Sequence, residues 1–247
     1  MLKRFNKNRL LSDNIRLGVL TAFSAGMVNV ASLLIFLAFT SNVTGHYANF
    51  AAELVKGNYY QALVVLGWIF LFFLGGFLAN LSVITFTKNP YLAHALPLIL
   101  EILCLLAVGI YGEYYYEETL AETELLVSLM LLAMGLQNGL TASISNFAVK
   151  TTHLTGATTD LGILTSMFTQ KEFRQNPEIR SRAKLIISIT SAYVVGALVG
   201  AASFMNIQFK TFYLVCLVLF IVIGYDLYRM QYLKLLKARF KTSFANT

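Results

Sequence analysis

Two threonine–glycine pairs have residue types that suit the binding of an anionic group. Thr44-Gly45 lies in the stretch TSNVTGHYANFAAELVKG, and Thr155-Gly156 opens the stretch TGATTDLGILTSMFTQK. A threonine hydroxyl donates a hydrogen bond, and a glycine lets another group approach the backbone closely. The N–H groups at a helix start also carry partial positive charge. Each pair therefore predicts a polar helix start that can bind an anion.

Three side-chain amides and a histidine extend this set. Asn29 precedes the first pair, Gln137 and Asn138 precede the second, and His46 directly follows the first. Amides inside apolar segments either bond neighbouring helices or contact a solute, and the sequence leaves both readings open. The predicted substrate-binding residues are Asn29, Thr44, Gly45, His46, Gln137, Asn138, Thr155 and Gly156.

Glu101 is an isolated carboxylate in the apolar stretch LILEILCLL. An ionised carboxylate is costly inside a membrane and usually faces a partner or a cavity. We predict that Glu101 is a proton-coupling group. The alternative is a neutral Glu101 that hydrogen-bonds to a neighbouring helix.

Enzymatic and metal chemistry find no support in the residue patterns. The histidines are dispersed without metal-ligand spacing, and there is no phosphate loop, nucleophile elbow or pair of carboxylates on one segment. The sequence therefore predicts a protein that is not an enzyme and that has no metal site and no cofactor.

The elements that must position these residues are apolar and long. The chain is 57% hydrophobic and 13% charged, whereas soluble domains carry about 25% charged residues. Crossing a bilayer takes a helix of ~20 residues. We predict an all-α, polytopic membrane protein with six transmembrane helices, at 17–40, 62–86, 95–112, 125–149, 185–209 and 211–225. Cys104 and Cys216 fall inside these spans, so no disulfide is expected.

Charge placement predicts the orientation of these spans. With a cytoplasmic N-terminus, 17 of the 19 basic residues lie on the inner side and only Lys56 and Lys210 lie outside. The loop 112–124 carries five glutamates and faces the periplasm, and the basic tail 229–247 is cytoplasmic. The net charge of +7 is thus a topology signal, and no nucleic-acid partner is predicted.

The sequence contains an internal repeat within its single domain, 1–247. Gly26 and Asn29 match Gly135 and Asn138, and after a two-residue insertion the two threonine–glycine pairs match as well. The next segments, FLGGFLAN and VVGALVGAA, are both rich in small residues that allow close helix packing.

The two repeats, about 15–111 and 125–228, each contain three spans, and an odd number places tandem copies upside down relative to each other. We therefore predict two inverted three-helix repeats, an arrangement common among secondary transporters. The segments after the threonine–glycine pairs are too short to span. They are either re-entrant helices or polar connectors on the membrane surface, and the sequence does not decide between these.

The threonine–glycine turns, the GLQNG motif of the fourth span and the LILEILCLL third span together resemble the YoaK-type bacterial inner-membrane proteins, a family of unknown function. The resemblance covers about 15–230 and implies a polytopic protein of the bacterial inner membrane. That family often has Asp at the position of Asn29 and Asn at the position of His46. The resemblance supplies no substrate.

Two functions are consistent with these observations. The first is a permease for a small solute or ion, proton-coupled through Glu101, with the lipid bilayer as surroundings and a homodimer expected by analogy with larger two-fold transporters. The second is a non-transporting scaffold or accessory subunit. A polar cavity that reaches Glu101 and both turns would favour the first, and a solid core with both turns on the surface would favour the second.

Overall fold

The computed structural model describes residues 11–225, except for the side chains of Asp13 and Pro90. The basic N-terminal residues, the end of the second repeat and the predicted cytoplasmic tail 229–247 lie outside the described residues. Within 11–225 every regular element is a helix. The prediction of an all-α protein is therefore confirmed for this part of the chain.

Eight α-helices precede a short 3₁₀ turn and a last helix. They are α1 (Leu11–Phe36), α2 (Val43–Val55), α3 (Tyr59–Thr85), α4 (Pro90–Tyr114), α5 (Leu120–Ile144), α6 (Leu154–Met167), α7 (Lys171–Gln175) and α8 (Pro177–Ile207). The 3₁₀ turn covers Gln208–Lys210, and the described part of the last helix, α9, covers 211–225.

Five helical stretches of the described chain are long and apolar enough to cross a membrane. They are Asn14–Phe36, Tyr59–Thr85, Tyr91–Tyr114, Leu120–Ile144 and Pro177–Tyr225. The last stretch contains α8, the 3₁₀ turn and α9. These lengths and compositions are those of a helical membrane protein, and the count of six spans stays a prediction.

Side-chain caps explain why several helices begin outside the apolar stretches. Asn42, Asn58, Asn89 and Asn176 each accept a hydrogen bond from the first turn of the following helix. In α5 the Thr119 side chain accepts from the backbone N–H of Glu122, whose carboxylate accepts from the backbone N–H of Thr119. Capping thus adds polar first turns to apolar helices.

These polar turns correct several sequence-based boundaries. The acidic loop predicted at 112–124 is short, because α4 continues to Tyr114 and the capping box starts α5 at Leu120. The fifth predicted span starts at Pro177 instead of residue 185, since the charged residues before 185 are helical. The first span ends at Phe36 instead of residue 40, where Leu37 has a positive φ of 51°.

Glycines bring the helices together in two close pairs, α1 with α8 and α3 with α5. A Cβ atom at Gly26 on α1 would collide with the backbone of Tyr193 on α8, and one at Gly196 on α8 would collide with the backbone of Phe23. In the other pair, a Cβ at Gly135 on α5 would collide with the Phe72 backbone, and one at Gly75 on α3 with the Leu132 backbone. The small residues predicted to allow close helix packing lie at these contacts.

The core lies around α1 and α5, which are the most enclosed of the candidate spans. In each of them 61% of the most apolar window is buried, against 28% in α3. Gln137 joins these two central helices, because its Nε2 donates to the Ser24 Oγ of α1 at 2.6 Å. The apolar outer surface of α3 is consistent with contact to lipid.

A candidate binding cavity at the starts of two short helices

The segment before α2 folds back along α1. Asn29 lies seven residues before the last residue of α1, which corresponds to about 10 Å of helix. Its Oδ1 accepts hydrogen bonds from the backbone N–H of Thr40 and the hydroxyl of Ser41, both at 3.0 Å. Because these residues directly precede α2, the short helix begins within the bundle and not beyond the end of α1.

The segment before α6 repeats this arrangement on α5. Asn138 lies six residues before the last residue of α5, or about 9 Å of helix. Its Oδ1 accepts hydrogen bonds from the hydroxyls of Thr151 at 2.9 Å and Thr152 at 3.2 Å. In both halves an asparagine amide therefore holds a pair of hydroxyl residues that precede a short helix.

Asn29 also connects α1 to α8. Its Nδ2 donates to the Tyr193 hydroxyl at 2.8 Å, and the residue is only 7% exposed. Asn138 uses the same group within its own helix, where Nδ2 donates to the Met134 carbonyl at 2.9 Å. The two amides thus stabilise the fold and still present part of their surface to the space between the short helices.

Neither threonine of the two threonine–glycine pairs is the cap of its helix, because both lie inside the first turn. The cap of α2 is Asn42, whose Oδ1 accepts from the Gly45 N–H at 3.2 Å. At α6 the equivalent position is His153, which makes no side-chain capping bond. A Cβ atom at Gly45 would lie 2.8 Å from Asn42 Nδ2, and one at Gly156 would collide with the His153 ring. Both glycines therefore leave room for the side chain at the cap position.

A cavity of about 1120 Å³ brings the two helix starts together. Four of the predicted binding residues line it, namely Asn29, Thr44, Asn138 and Thr155. Polar residues not predicted from sequence line it as well, including Ser41, Asn42, Asn80, Lys150, Thr152, His153 and Tyr193. The cavity thus combines hydroxyl, amide and cationic groups beside two helix N-termini.

One wall of this cavity is an apolar face of α3. Ile69, Phe72, Phe73, Gly76 and Phe77 line it at the spacing of one helical face. Among the described residues, none from α4 or α9 takes part in the lining.

Four predicted binding residues lie elsewhere. Gly45 and Gln137 are not part of the cavity lining, and Gln137 is fully buried between helices. Gly156 lines a smaller neighbouring cavity of about 580 Å³, beside the ion pair between Asp160 and Arg182 at 3.0 Å. The two cavities share Phe147, Lys150 and His153 as lining residues.

His46, the fourth of these residues, is a buried packing group on α2. Its Nε2 lies 2.8 Å from the Phe39 carbonyl oxygen, and its ring contacts Trp68 at a centroid distance of 5.5 Å. Burial lowers the pKa of His46, and the hydrogen bond to the Phe39 carbonyl opposes this shift. The neutral imidazole is therefore the form that the fold favours.

Glu101 lies apart from the cavity. It is completely buried, and neither of its carboxylate oxygens has a hydrogen-bond partner among the described residues. The next residue, Ile102, accepts a hydrogen bond from Cys216 Sγ of α9 at 3.7 Å. Glu101 is not among the lining residues of the cavity, and its helix α4 packs against α5 and α9.

Sequence reasoning missed Tyr193, Lys150 and the hydroxyl pairs that bind the two asparagines. A signal for the hydroxyl pairs was present, because Thr40-Ser41 and Thr151-Thr152 precede the two threonine–glycine pairs at the same distance. No comparable signal marked Tyr193, whose role depends on the packing of α1 on α8.

The helices and the cavity together define the class of this protein as a helical membrane protein with a cavity of mixed polar and apolar lining. Residues 17–225 match the family described as protein of unknown function (DUF1275), and the chain belongs to that family. This match confirms the resemblance to a family of unknown function. The comparisons with curated proteins and with solved structures gave no match.

Proposed function

We propose that the protein is a permease for a small solute, residing in the bacterial inner membrane. The observation that carries this proposal is that Thr44 and Thr155, at the starts of two short helices, line one cavity together with Asn29 and Asn138. Broken helices that meet around a polar cavity are typical of substrate sites in secondary transporters. Non-helical backbone at membrane depth is tolerated where it lines such a cavity.

The proposal includes six membrane spans. The stretch Pro177–Tyr225 contains 49 residues, which corresponds to roughly 73 Å of continuous helix, more than twice the ~30 Å of a bilayer core. The 3₁₀ turn interrupts this stretch, and Gln208 has a positive φ of 46°. We therefore treat α8 and α9 as two antiparallel spans, which returns the chain to the cytoplasmic side.

The proposal also includes an inverted repeat, supported by reciprocal helix contacts. Gly26 of α1 packs on Tyr193 of α8, and the matching Gly135 of α5 packs on Phe72 of α3. The sequence offset from Phe72 to Tyr193 equals the offset from Gly75 to Gly196. These two glycines form the other two close contacts between the helices. The first long helix of each half thus contacts the second long helix of the other half in the same way. Such packing lets one pair move against the other and open the cavity to alternate sides.

Glu101 is proposed as the coupling group although it lies outside the cavity. It is completely buried and without a hydrogen-bond partner among the described residues. Ionisation of such a group is unfavourable unless water or a cation reaches it, so its protonation state is linked to the packing of α4. A change in that packing would connect proton binding to transport. A homodimer is part of the same proposal.

A scaffold or accessory subunit is the alternative. The extensive hydrogen bonding of Asn29 favours it, because a purely structural residue would use its amide in the same way. Glycine contacts between helices also suit a protein that only needs to be stable.

Uptake of a panel of radiolabelled organic solutes into proteoliposomes tests the proposal. We expect at least one solute to accumulate above protein-free liposomes, and Asn138→Ala to reduce this accumulation. Asn206→Ala is the matched control, because Asn206 is exposed and bonds only to a carbonyl of its own helix. No accumulation of any solute would favour the scaffold. Equal accumulation by the two variants would mean that transport does not use this cavity.

A further inference from the structure

The charge of the cavity lining is one-sided. Among its described lining residues, Lys150 is the one lysine or arginine, and no aspartate or glutamate is present. No ion pair of Lys150 is found within residues 11–225, whereas Lys56 pairs with Glu53 at 2.7 Å and Lys210 with Glu113 at 3.2 Å. Asp160, which lines the smaller neighbouring cavity together with Lys150, is paired with Arg182. A cation in a cavity whose lining contains no carboxylate favours an anionic ligand.

Neutral hydrogen-bond donors in the cavity also favour a negatively charged ligand. Thr44 and Thr155 are exposed residues on the lining, and their hydroxyls can donate to an anion. At the start of α2 the Gly45 N–H donates to Asn42 Oδ1, and at the start of α6 the Leu154 N–H donates to the Thr152 carbonyl. The dipoles of the two short helices still add positive potential at these ends. These groups supplement Lys150, and none of them carries a full charge.

The size and the apolar wall of the cavity exclude an inorganic ion as a good fit. A volume of about 1120 Å³ slightly exceeds the usual range for sites that bind small organic molecules, about 300–1,000 Å³. The α3 face contributes Phe72, Phe73 and Phe77, and Phe39 and Tyr47 add further aromatic surface. Such a wall binds an apolar or aromatic body by burying its surface.

We propose that the ligand is a small organic anion with an aromatic or apolar body, such as an aromatic carboxylate. Lys150 and the starts of α2 and α6 bind the anionic group, and the α3 face packs against the body. This proposal deepens the proposed function and rests on it, because it treats the cavity as the solute site. It is specific in that it requires a positive charge at position 150.

Fluorescence of Trp68 gives a direct binding test with the full-length protein in nanodiscs of phosphatidylcholine. Trp68 is the one tryptophan of the chain and directly precedes the lining residue Ile69. The probes are benzoate and phenylacetate, each compared with its neutral amide, benzamide or phenylacetamide. We expect the carboxylates to bind saturably and roughly tenfold or more tightly than the amides, the size of effect that one charged contact provides.

Variants at position 150 identify the source of this selectivity. Lys150→Gln should weaken carboxylate binding roughly tenfold and leave amide binding unchanged, and Lys150→Arg should retain carboxylate binding. Lys56→Gln is the matched control, because Lys56 is an exposed lysine outside the cavity lining. The proposal is overturned if neither carboxylate binds, if carboxylate and amide bind equally, or if Lys150→Gln and Lys56→Gln behave alike.

A second arm separates a soluble anion from an anionic lipid. Nanodiscs that contain phosphatidylglycerol should bind benzoate as well as those of phosphatidylcholine alone. Loss of benzoate binding in the presence of phosphatidylglycerol would assign the cavity to a lipid headgroup and overturn the proposal. These binding experiments do not depend on transport. If only neutral solutes are taken up, the proposal of an anionic ligand is refuted and the proposal of a permease stands. If carboxylates bind but no solute is taken up, the proposal of a permease is refuted.

Discussion

Asn29 on α1 and Tyr193 on α8 are joined by a 2.8 Å hydrogen bond although 164 residues separate them in sequence. The same asparagine accepts hydrogen bonds from Thr40 and Ser41 just before α2. One amide therefore fixes both the contact between two long helices and the position at which a short helix starts. This dual role makes Asn29 the residue through which a movement of α8 would reach the start of α2.

We expect Tyr193→Phe to be tolerated better than Asn29→Leu. The first change removes the hydroxyl that bonds Asn29 and also interacts with Ser41, at a cost of about 1 kcal/mol for each hydrogen bond. The second removes the acceptor for two residues and leaves their donors unpaired, so the loss in the free energy of unfolding should be larger. Thermal unfolding of the purified variants in the same detergent measures both effects.

Asn29→Asp tests whether the acceptor oxygen at position 29, which Asn29→Leu removes, accounts for the stability. An aspartate keeps the acceptor oxygen for Thr40 and Ser41, and the Tyr193 hydroxyl can reverse its direction and donate to the second oxygen. The melting temperature should therefore stay close to that of the wild type. If Asn29→Asp is as unstable as Asn29→Leu, the hydrogen-bond network described here is not what holds the start of α2.

The glycines predict a graded response to alanine. Gly135→Ala should destabilise by roughly 1–3 kcal/mol, because its Cβ would meet the backbone of Phe72 and force α3 and α5 apart. Gly45→Ala meets only the flexible end of Asn42, so its cost should be about that of a lost cap, ~1 kcal/mol. Chemical or thermal unfolding compares the two variants.

Gly67→Ala provides the matched control within α3. A Cβ atom at Gly67 would have no neighbour within 4 Å, so the variant should be as stable as the wild type or slightly more stable. Comparable losses at positions 67 and 135 would contradict the close contact between α3 and α5.

His46 predicts a dependence of stability on pH. Burial lowers the pKa of this histidine from its ordinary value of 6.5. Below about pH 6.5 the unfolded chain binds a proton that the folded chain resists, so the stabilisation is present at higher pH and is lost as the pH falls. We expect the melting temperature to drop between pH 8 and pH 5, and to drop less in His46→Gln.

His153→Gln is the control for this experiment, because His153 is exposed and makes no side-chain capping bond. Its melting temperature should follow the wild-type pH profile. A His46→Gln profile that coincides with the wild type would show that another group is responsible for the acid sensitivity.

Part of this site could be predicted from sequence because it repeats. The match of Asn29 with Asn138, and of one threonine–glycine pair with the other, pointed to two equivalent helix starts, and four of these residues line one cavity. Equivalent positions in a duplicated chain tend to occupy equivalent surroundings. This inference needed no knowledge of which helices contact each other.

The rest depended on packing that hydropathy does not describe. The cost of an isolated carboxylate in a span predicts that Glu101 faces a partner or a cavity, yet sequence cannot tell which side of α4 faces which neighbour. Hydropathy places the start of α5 too late, because the polarity of Glu122 predicts a loop, whereas this residue completes a capping box with Thr119. In both cases the sequence shows that a residue is polar but does not show which groups surround it in the folded protein.

Glu101→Gln should separate ligand binding from proton coupling. Glutamine keeps the size and the hydrogen-bonding groups of a neutral glutamic acid but cannot release a proton. Because Glu101 does not line the cavity, benzoate binding should be unchanged in this variant. Uptake into proteoliposomes, measured with an imposed pH gradient, should lose its dependence on that gradient. A variant that keeps the wild-type response to the gradient would exclude Glu101 as the coupling group.

The orientation of the chain is open to a direct chemical test. Charge placement predicts that Glu117, in the short loop between α4 and α5, faces the periplasm and that Arg180, in the first turn of α8, faces the cytoplasm. Single cysteines at these positions, in a chain whose Cys104 and Cys216 are replaced by alanine, should differ in intact cells. A membrane-impermeant maleimide should label position 117 at once and label position 180 only after the membrane is opened.

A third cysteine at Lys237, which lies outside the described residues, should behave like position 180 if α9 returns the chain to the inner side. Labelling of position 237 but not 180 in intact cells would mean that α8 and α9 do not cross as two separate spans. The inverted arrangement of the two halves would then fail with it, because the second half would contain one crossing fewer than the first.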